Sequence, residues 1–230
     1  MIKAILWDVD GTLLDFLPSE RHSLKKAFLH FDLGECPDEL VAEYSKINLK
    51  HWEMLERGEV TKAQVLIGRF VEFLEYCGID SVTPEDFCAQ YESGLTEVVA
   101  PIDDCIDLLT ELSADYEQYI VTNGAERVQN KKLSRSGFDK IVDGVYISDS
   151  VGYEKPNKKF FDAVLSDTDC TKDEVIIVGD SLTSDMQGGI NSGIKTCWYN
   201  PNDNPKPKDI DYSINNLWQI KEILAQKTPN

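Results

Sequence analysis

The stretch KAILWDVDGTLLD, residues 3–15, joins a run of apolar residues to two acids that are separated by one valine. The apolar run from Ala4 to Trp7 is typical of a strand that is buried on both faces. Side chains at positions i and i+2 of a strand point the same way, so Asp8 and Asp10 would emerge together and repel each other. The pattern therefore predicts a positive partner for these acids at the end of the first strand.

Four more β-rich runs follow this first one, and segments with helical spacing alternate with them. The runs are YEQYIVTNG from Tyr116, IVDGVYIS from Ile141, EVIIVGDS from Glu174 and IKTCWYN from Ile194. All are nearly continuous in apolar residues, which favours parallel strands covered by helices on both faces. One of the helices is predicted to begin with Pro156 in its first turn. The sequence therefore predicts an α/β fold with a doubly wound parallel sheet.

One long segment breaks this alternation. Residues 16–99 contain no convincing strand, and their apolar residues repeat with helical spacing in four blocks. Thr61 and Thr83 are typical of helix starts. We therefore predict a small α-helical bundle inserted after the first strand, so that residues 1–15 and 100–230 form the α/β domain and residues 16–99 form a helical domain.

The composition predicts a folded protein with a strongly acidic surface. The chain has 41 Asp and Glu residues against 23 Lys and Arg residues, which gives a formal net charge of −18. Such a field repels polyanions and argues against nucleic acid polymers as partners. No apolar run approaches the ~20 residues of a membrane helix, and a signal-peptide pattern is missing at the start. We therefore expect no membrane partner and a cytoplasmic location.

The cysteines and histidines argue against two other kinds of site. The six cysteines are scattered without a C-x-x-C pair, and the only histidines are His22, His30 and His51, so a zinc site is not predicted. The motif GDSL at residues 179–182 matches a serine-esterase signature. Because no histidine follows it to act as the base, that activity is not predicted either.

Polar residues collect where the predicted strands end, which is the place where open α/β sheets bind ligands. The four segments are DVDGT from Asp8, TNG from Thr122, EKP from Glu154 and GDSLTSD from Gly179. Asp8 and Asp180 can hold Mg²⁺, which resolves the repulsion noted above. A carboxylate is also a known nucleophile, and Asp10 can give a proton to a leaving oxygen and then take one from water.

Three further residue types in these segments suit a phosphoryl group. The Thr122 hydroxyl and the backbone N–H groups near Gly124 can hold phosphate oxygens, while Lys155 supplies a positive charge against the acidic background. Asn123 can hold the loop, or it can contact Asp10 or the substrate. The segments together predict phosphoryl transfer at this edge of the sheet.

The four segments, in this order and at these strand ends, resemble the motifs of the haloacid dehalogenase superfamily. The resemblance implies a Rossmann-like core and a mobile cap, formed by the helical insert, that closes over small substrates. It implies that Asp8 is the nucleophile and Asp10 the general acid and base. The implied site comprises catalytic Asp8, Asp10 and Lys155; substrate-binding Thr122, Asn123, Gly124 and Lys155; and Asp8, Asp10, Asp180 and Asp185 as the residues of a Mg²⁺ site.

Longer segments look like the branch that contains bacterial pyrimidine nucleoside 5'-monophosphate phosphatases. Among them are INLKHWEMLERGEVT at residues 47–61 and VGYEKPNKKFFDAVL at residues 151–165. This likeness implies a Mg²⁺-dependent phosphatase that acts on nucleoside monophosphates through an aspartyl-phosphate, as a monomer or weak homodimer. A phosphatase of phosphoglycolate or a sugar phosphate, a phosphomutase and a non-catalytic metabolite-binding protein stay open as alternatives.

Overall fold

A computed structural model describes residues 1–226. The strands are β1 (Ala4–Trp7), β2 (Glu117–Thr122), β3 (Gly144–Ile147), β4 (Val175–Gly179), β5 (Lys195–Tyr199) and β6 (Tyr212–Ile214). The helices are α1 (Phe16–His30), α2 (Asp38–Glu56), α3 (Lys62–Cys77), α4 (Pro84–Leu95), α5 (Cys105–Leu112), α6 (Glu126–Ser136), α7 (Ser148–Val151), α8 (Lys158–Ser166), α9 (Gln187–Ser192) and α10 (Ile220–Leu224). A π-helical turn at Leu182–Met186 leads into α9.

The six strands form one parallel sheet in the order β3-β2-β1-β4-β5-β6. The predicted doubly wound parallel sheet is thereby confirmed. Strand β1 lies between β2 and β4, with Trp7 opposite Ile120 on one side and Val178 on the other. Because all the strands run in one direction, the residues that follow β1, β2 and β4 meet at one edge of the sheet.

The sixth strand was not predicted. Strand β6 contains only three residues and pairs with β5 at the edge of the sheet. It follows a proline-rich loop, and its sequence, Tyr-Ser-Ile, is too short to show a periodic pattern. The strands that position the site residues were all predicted.

Strand β1 forms the centre of the core of the α/β unit. Its four side chains, Ala4 to Trp7, are completely buried, which stabilises the fold by roughly 1.5–3 kcal/mol for each large apolar side chain. The indole Nε1 of Trp7 donates a hydrogen bond to Gln118 Oε1 at 3.1 Å, and Gln118 Nε2 donates to the Leu109 carbonyl at 2.7 Å. These bonds satisfy the polar atoms that the core would otherwise leave unpaired.

The chain divides into two compact units. Residues 1–15 join residues from 101 onward in the α/β unit, and residues 16–100 form a separate helical unit. In the helical unit, Thr61 begins α3 with a capping box to Gln64, and Thr83 caps α4 by accepting the N–H of Asp86. The buried aromatic side chains at its centre are Phe28, Tyr44, Phe70, Phe73, Phe87 and Tyr91. No helix within residues 1–226 is both long enough and apolar enough to cross a bilayer.

Helix α8 begins later than predicted. The Asn157 side chain accepts the N–H of Lys159 at 3.0 Å and caps a helix whose first residue is Lys158. Pro156 therefore lies outside the helix, in the loop that carries Lys155. Since Asn is a stronger helix cap than any residue before it in this segment, the helix starts after Asn157.

Candidate active site

The ammonium group of Lys155 lies between two carboxylates. Lys155 Nζ donates to Asp8 Oδ1 at 2.7 Å, to Asp185 Oδ1 at 2.7 Å and to the Val121 carbonyl at 2.9 Å. These three acceptors match the three hydrogens of an ammonium group. Because the Lys155 side chain is only 2% exposed, the three bonds fix the charge at one point beneath the edge of the sheet.

Asn123 holds the loop that delivers this lysine. Its Oδ1 accepts the N–H of Lys155 at 2.8 Å, and its Nδ2 donates to the Lys155 carbonyl at 2.9 Å. The resemblance implied a substrate contact for Asn123, and the residues alone left open that it holds the loop or contacts Asp10. Both ends of its buried amide are engaged by the Lys155 backbone, so the geometry supports the loop-holding role.

Three acids converge beside Lys155. Asp8, Asp180 and Asp185 each offer one carboxylate oxygen, and these three atoms lie within 4.8 Å of one another. Asp8 directly follows β1 and Asp180 directly follows β4, which are neighbouring parallel strands. Asp185 is brought back to them by the π-helical turn, where its Oδ2 accepts the Ser181 N–H at 3.1 Å.

The electrostatics of this group call for another cation. The pKa of Asp8 is raised to about 7, chiefly by burial and also by the charge of Asp185, although Lys155 opposes both effects. The pKa of Asp180 is also raised, by loss of hydration on its inner side and by the charges of Asp8 and Asp185, even though its side chain keeps a solvent-exposed face. Three carboxylates against one ammonium leave two negative charges in excess, so the oxygen donors fit a divalent cation such as Mg²⁺.

Asp10 stands apart from these three acids. Its Oδ1 accepts a hydrogen bond from Lys132 Nζ at 2.6 Å, and its Oδ2 accepts one from Gln129 Nε2 at 2.6 Å. The four acids predicted as metal ligands thus divide into three that converge and one whose carboxylate is engaged by α6. The physical reason is that Asp10 follows the last residue of β1 by three positions, where the chain has already turned away from the strand direction.

The predicted phosphate-binding groups lie next to this site. The Thr122 side chain is buried at the end of β2, and its Oγ1 accepts the N–H of Gly124 at 3.1 Å. Hydroxyl and N–H groups of this kind are the donors that phosphate oxygens require. The roles predicted for Thr122 and Gly124 remain predictions.

Two glycines let the backbone approach these acids closely. A Cβ atom at Gly179 would lie 2.3 Å from Asp185 Cγ, and one at Gly11 would lie 2.4 Å from Asp180 Oδ2. Gly11 also has a φ of +96°, a backbone conformation that residues with a side chain rarely adopt. Both glycines belong to the quoted motifs, but no sequence pattern predicts that their lack of a side chain shapes the acid cluster.

Gln129 and Lys132 were not predicted from the sequence. They are three residues apart on α6 and both are buried, at 1% and 2% exposure. A Gln and a Lys at i and i+3 share one face of a helix, and this helix starts directly after the TNG segment. That spacing is the signal that could have identified them as residues facing the site.

Comparisons with known proteins agree with this architecture. A family model, haloacid dehalogenase-like hydrolase, matches residues 5–199. YfnB of Bacillus subtilis (strain 168) is 33% identical over 96% of this chain and 95% of its own length. A crystal structure of YfnB bound to magnesium matches with a TM-score of 0.91 at 32% identity, covering 98% of this chain and 99% of that chain.

Two further relatives carry a named activity. YjjG of Escherichia coli (strain K12), a pyrimidine 5'-nucleotidase, is 28% identical over 96% of this chain and 97% of its own length. PynA of Streptococcus pneumoniae (strain ATCC BAA-255 / R6), also a pyrimidine 5'-nucleotidase, is 31% identical over 86% of this chain and 84% of its own length. The similarity to both covers the α/β unit and the helical unit.

Proposed function

Because the chain belongs to the haloacid dehalogenase-like hydrolases, we propose that it is a Mg²⁺-dependent phosphatase that forms an aspartyl-phosphate on Asp8. Its proposed substrates are small phosphomonoesters, and nucleoside monophosphates above all. The observation that carries the proposal is the convergence of Asp8, Asp180 and Asp185 around the Lys155 ammonium, with Asp10 two residues beyond Asp8.

The proposed nucleophile is an oxygen of the Asp8 carboxylate. Lys155 binds Asp8 Oδ1, so Oδ2 is the atom that attacks phosphorus. The bond between phosphorus and the ester oxygen breaks, and its electron pair stays with the leaving oxygen. Asp10 in its acid form gives that oxygen a proton, and the alcohol departs.

The second half of the reaction returns the site to its starting state. Asp10, now a carboxylate, takes a proton from a water molecule as the water oxygen attacks the phosphorus of the aspartyl-phosphate. The bond between phosphorus and Asp8 breaks, its electron pair returns to the carboxylate, and inorganic phosphate leaves. The same acid therefore serves both steps with opposite proton transfers.

The charges of the site favour this reaction at an anionic substrate. The Thr122 hydroxyl is proposed to bind the phosphoryl oxygens, and Lys155, whose three hydrogens are already bonded, is proposed to attract them through its positive charge. Mg²⁺, held by Asp8, Asp180 and Asp185, would supply positive charge that lowers the repulsion between a carboxylate nucleophile and a phosphate.

The relatives support the substrate class. YjjG and PynA are both named pyrimidine 5'-nucleotidases, and each aligns over most of this chain. The proposal extends that substrate class to this protein. A relative of 24% identity from Methanothermobacter thermautotrophicus is named as a glyceraldehyde 3-phosphate phosphatase, so sugar phosphates belong among the substrates to be tested.

The test is release of inorganic phosphate from a panel of substrates, with Mg²⁺ and with excess EDTA. The panel contains uridine, thymidine and purine nucleoside monophosphates, sugar phosphates, phosphoglycolate and an aryl phosphate. Release that requires Mg²⁺ and favours pyrimidine nucleotides supports the whole proposal. Release that favours another ester supports the reaction and contradicts the substrate class, whereas no release from any substrate contradicts the phosphatase.

The role of Asp8 has its own test. Asp8→Asn removes the proposed nucleophile and should lower kcat by at least about 10⁴-fold, the scale seen when a nucleophile is lost elsewhere. Acid quenching of the wild-type protein during turnover should also trap the aspartyl-phosphate. Asp80→Asn, at an exposed position in the helical unit, is the control and should turn over normally. A folded Asp8→Asn variant with near-normal turnover would exclude the covalent route.

A further inference from the structure

We propose that Gln129 and Lys132 are positioning residues that hold the Asp10 carboxylate in the orientation needed for proton transfer to the leaving oxygen. This inference rests on the phosphatase reaction proposed above. It concerns two residues of α6 that belong to none of the four sequence motifs.

The two side chains divide the Asp10 carboxylate between them. Lys132 Nζ donates to Oδ1 and Gln129 Nε2 donates to Oδ2, both at 2.6 Å. One donor on each oxygen fixes the rotation of the carboxylate about its last bond, which a single donor would leave free. Since both donors come from one helix, the carboxylate is aligned against a rigid element.

The difference in burial indicates that Gln129 and Lys132 hold Asp10, and not the reverse. The side chains of Gln129 and Lys132 are almost fully buried, whereas the Asp10 side chain is 25% exposed. The donors are therefore fixed by packing within the α/β unit, and the acid reaches outward from them. A proton donor for a bound substrate requires this combination of a carboxyl group in a fixed orientation and an accessible oxygen.

The orientation of the Gln129 amide is informative in itself. Its Oε1 atom is buried and finds no hydrogen-bond partner within residues 1–226, an arrangement that proteins rarely tolerate. Turning the amide over would place Oε1 against the Asp10 carboxylate, where two acceptors repel. The unpartnered oxygen is therefore explained by the bond that Nε2 makes to Asp10.

Gly124 provides the space for this amide. A Cβ atom at residue 124 would lie 2.0 Å from Gln129 Nε2 and 2.7 Å from its Cδ. The third residue of the TNG segment must therefore be glycine for Gln129 to reach Asp10. An alanine at this position keeps the backbone N–H of residue 124 but displaces the amide of Gln129.

The leaving group of the substrate distinguishes positioning from general support of the fold. An alkoxide, such as the ribose oxygen of a nucleoside monophosphate, needs a proton as it leaves, whereas p-nitrophenolate leaves without one. The value of kcat/KM includes only the steps up to release of the alcohol or phenol. It therefore isolates the acid step from the later hydrolysis of the aspartyl-phosphate.

The experiment measures kcat/KM in Mg²⁺ for uridine monophosphate and p-nitrophenyl phosphate, using the wild type, Gln129→Met and Lys132→Met. Asp10→Asn gives the loss expected when the acid is absent. We expect each variant to lose about 10- to 100-fold on the nucleotide, a fraction of the 10²–10⁴ that a general acid contributes, and less than about threefold on the aryl phosphate. Lys131→Met, at the exposed neighbouring position on α6, should change neither value.

The outcomes separate this inference from the function on which it rests. Equal losses on both substrates, in variants whose circular dichroism and melting temperature match the wild type, would overturn the positioning role and leave the phosphatase standing. Equal losses of kcat/KM on the two substrates in Asp10→Asn would also overturn the positioning role and leave the phosphatase standing. If the wild type releases phosphate from no substrate of the panel described above, the proposed function fails and the inference fails with it.

Discussion

Asn123 and Lys155 are joined by two hydrogen bonds between one side chain and one residue's backbone. The amide oxygen of Asn123 accepts the Lys155 N–H at 2.8 Å, and its nitrogen donates to the Lys155 carbonyl at 2.9 Å. This pair connects the end of β2 to the loop before α8, which are 32 residues apart in the chain. Among the described residues, Lys155 carries the only ammonium group that lies among the three convergent acids. Its position therefore depends on the neutral side chain of Asn123.

Asn123→Ala should weaken both the fold and the reaction. Removing the amide leaves the Lys155 N–H and carbonyl without their buried partners, which should lower the free energy of unfolding by about 1–3 kcal/mol. The loop is then free to shift, so kcat should fall more than KM changes. Urea denaturation followed by steady-state kinetics on p-nitrophenyl phosphate measures both effects.

Asn191→Ala is the matched control for that variant. Asn191 Nδ2 also donates to this loop, at the Pro156 carbonyl, but the bond is exposed to solvent. Its loss should change stability by less than about 0.5 kcal/mol. Equal effects of the two substitutions would show that the buried pair has no special part in holding Lys155.

Lys155→Met should destabilise the protein strongly in the absence of metal. The variant leaves Asp8 and Asp185 buried without their shared ammonium, and breaking a buried ion pair from one side costs about 3–5 kcal/mol. Mg²⁺ at saturating concentration should restore part of this loss, because the cation neutralises the same carboxylates. The measurement is urea denaturation with EDTA and with Mg²⁺. Lys159→Met, at an exposed position on α8, is the control.

The sequence was sufficient to predict the residues that end the strands, because a parallel sheet brings its carboxyl ends together. Asp8 directly follows β1, Thr122 ends β2 and Asp180 directly follows β4. The order of the motifs and of the strands therefore placed these residues at one edge of the sheet. The four helices of the inserted segment were predicted for a similar reason, since their apolar spacing and helix caps are local signals.

Contacts made by residues within helices and loops could not be predicted in this way. Gln129 and Lys132 meet Asp10 across more than a hundred residues of sequence, and only tertiary packing selects which face of α6 turns toward β1. The start of α8 was misplaced because Pro156 and Asn157 are both acceptable at a helix start, and the Asn157 cap decided between them.

The acid cluster should make the stability of the metal-free protein fall as pH rises. The pKa of Asp8 is raised by burial from 3.8 to about 7, so between these values the folded state binds more protons than the unfolded state. The contribution of Asp8 to the free energy of unfolding therefore decreases from about pH 4 to pH 7 and levels off above it. Asp8→Asn removes the Asp8 part of this dependence and should stabilise the metal-free protein at pH 8 by about 4 kcal/mol, with a smaller gain at pH 5.

That stabilisation should reverse when Mg²⁺ is added. The wild type gains stability in proportion to the logarithm of Mg²⁺ concentration once its site begins to fill, and Asp8→Asn, with one ligand fewer, gains less. Thermal melts at pH 5 and pH 8, each with EDTA and with Mg²⁺, provide the comparison. A wild-type melting temperature that rises from pH 5 to pH 8 in EDTA would contradict the sign of the argument.

Gly11→Ala should disturb Asp180 beyond the ordinary cost of a side chain at positive φ. Gly11 and Gly34 have φ values of +96° and +83°, so alanine at either position meets backbone strain of about 1–2 kcal/mol. A Cβ at Gly11 would also lie 2.4 Å from Asp180 Oδ2, whereas a Cβ at Gly34 has no described atom within 4 Å. We therefore expect Gly11→Ala to raise the Mg²⁺ concentration needed for half-maximal activity by at least about tenfold, on the scale of other changes next to metal ligands, and Gly34→Ala to leave it unchanged. Identical metal dependence in the two variants would mean that the close approach of Gly11 does not set the position of Asp180.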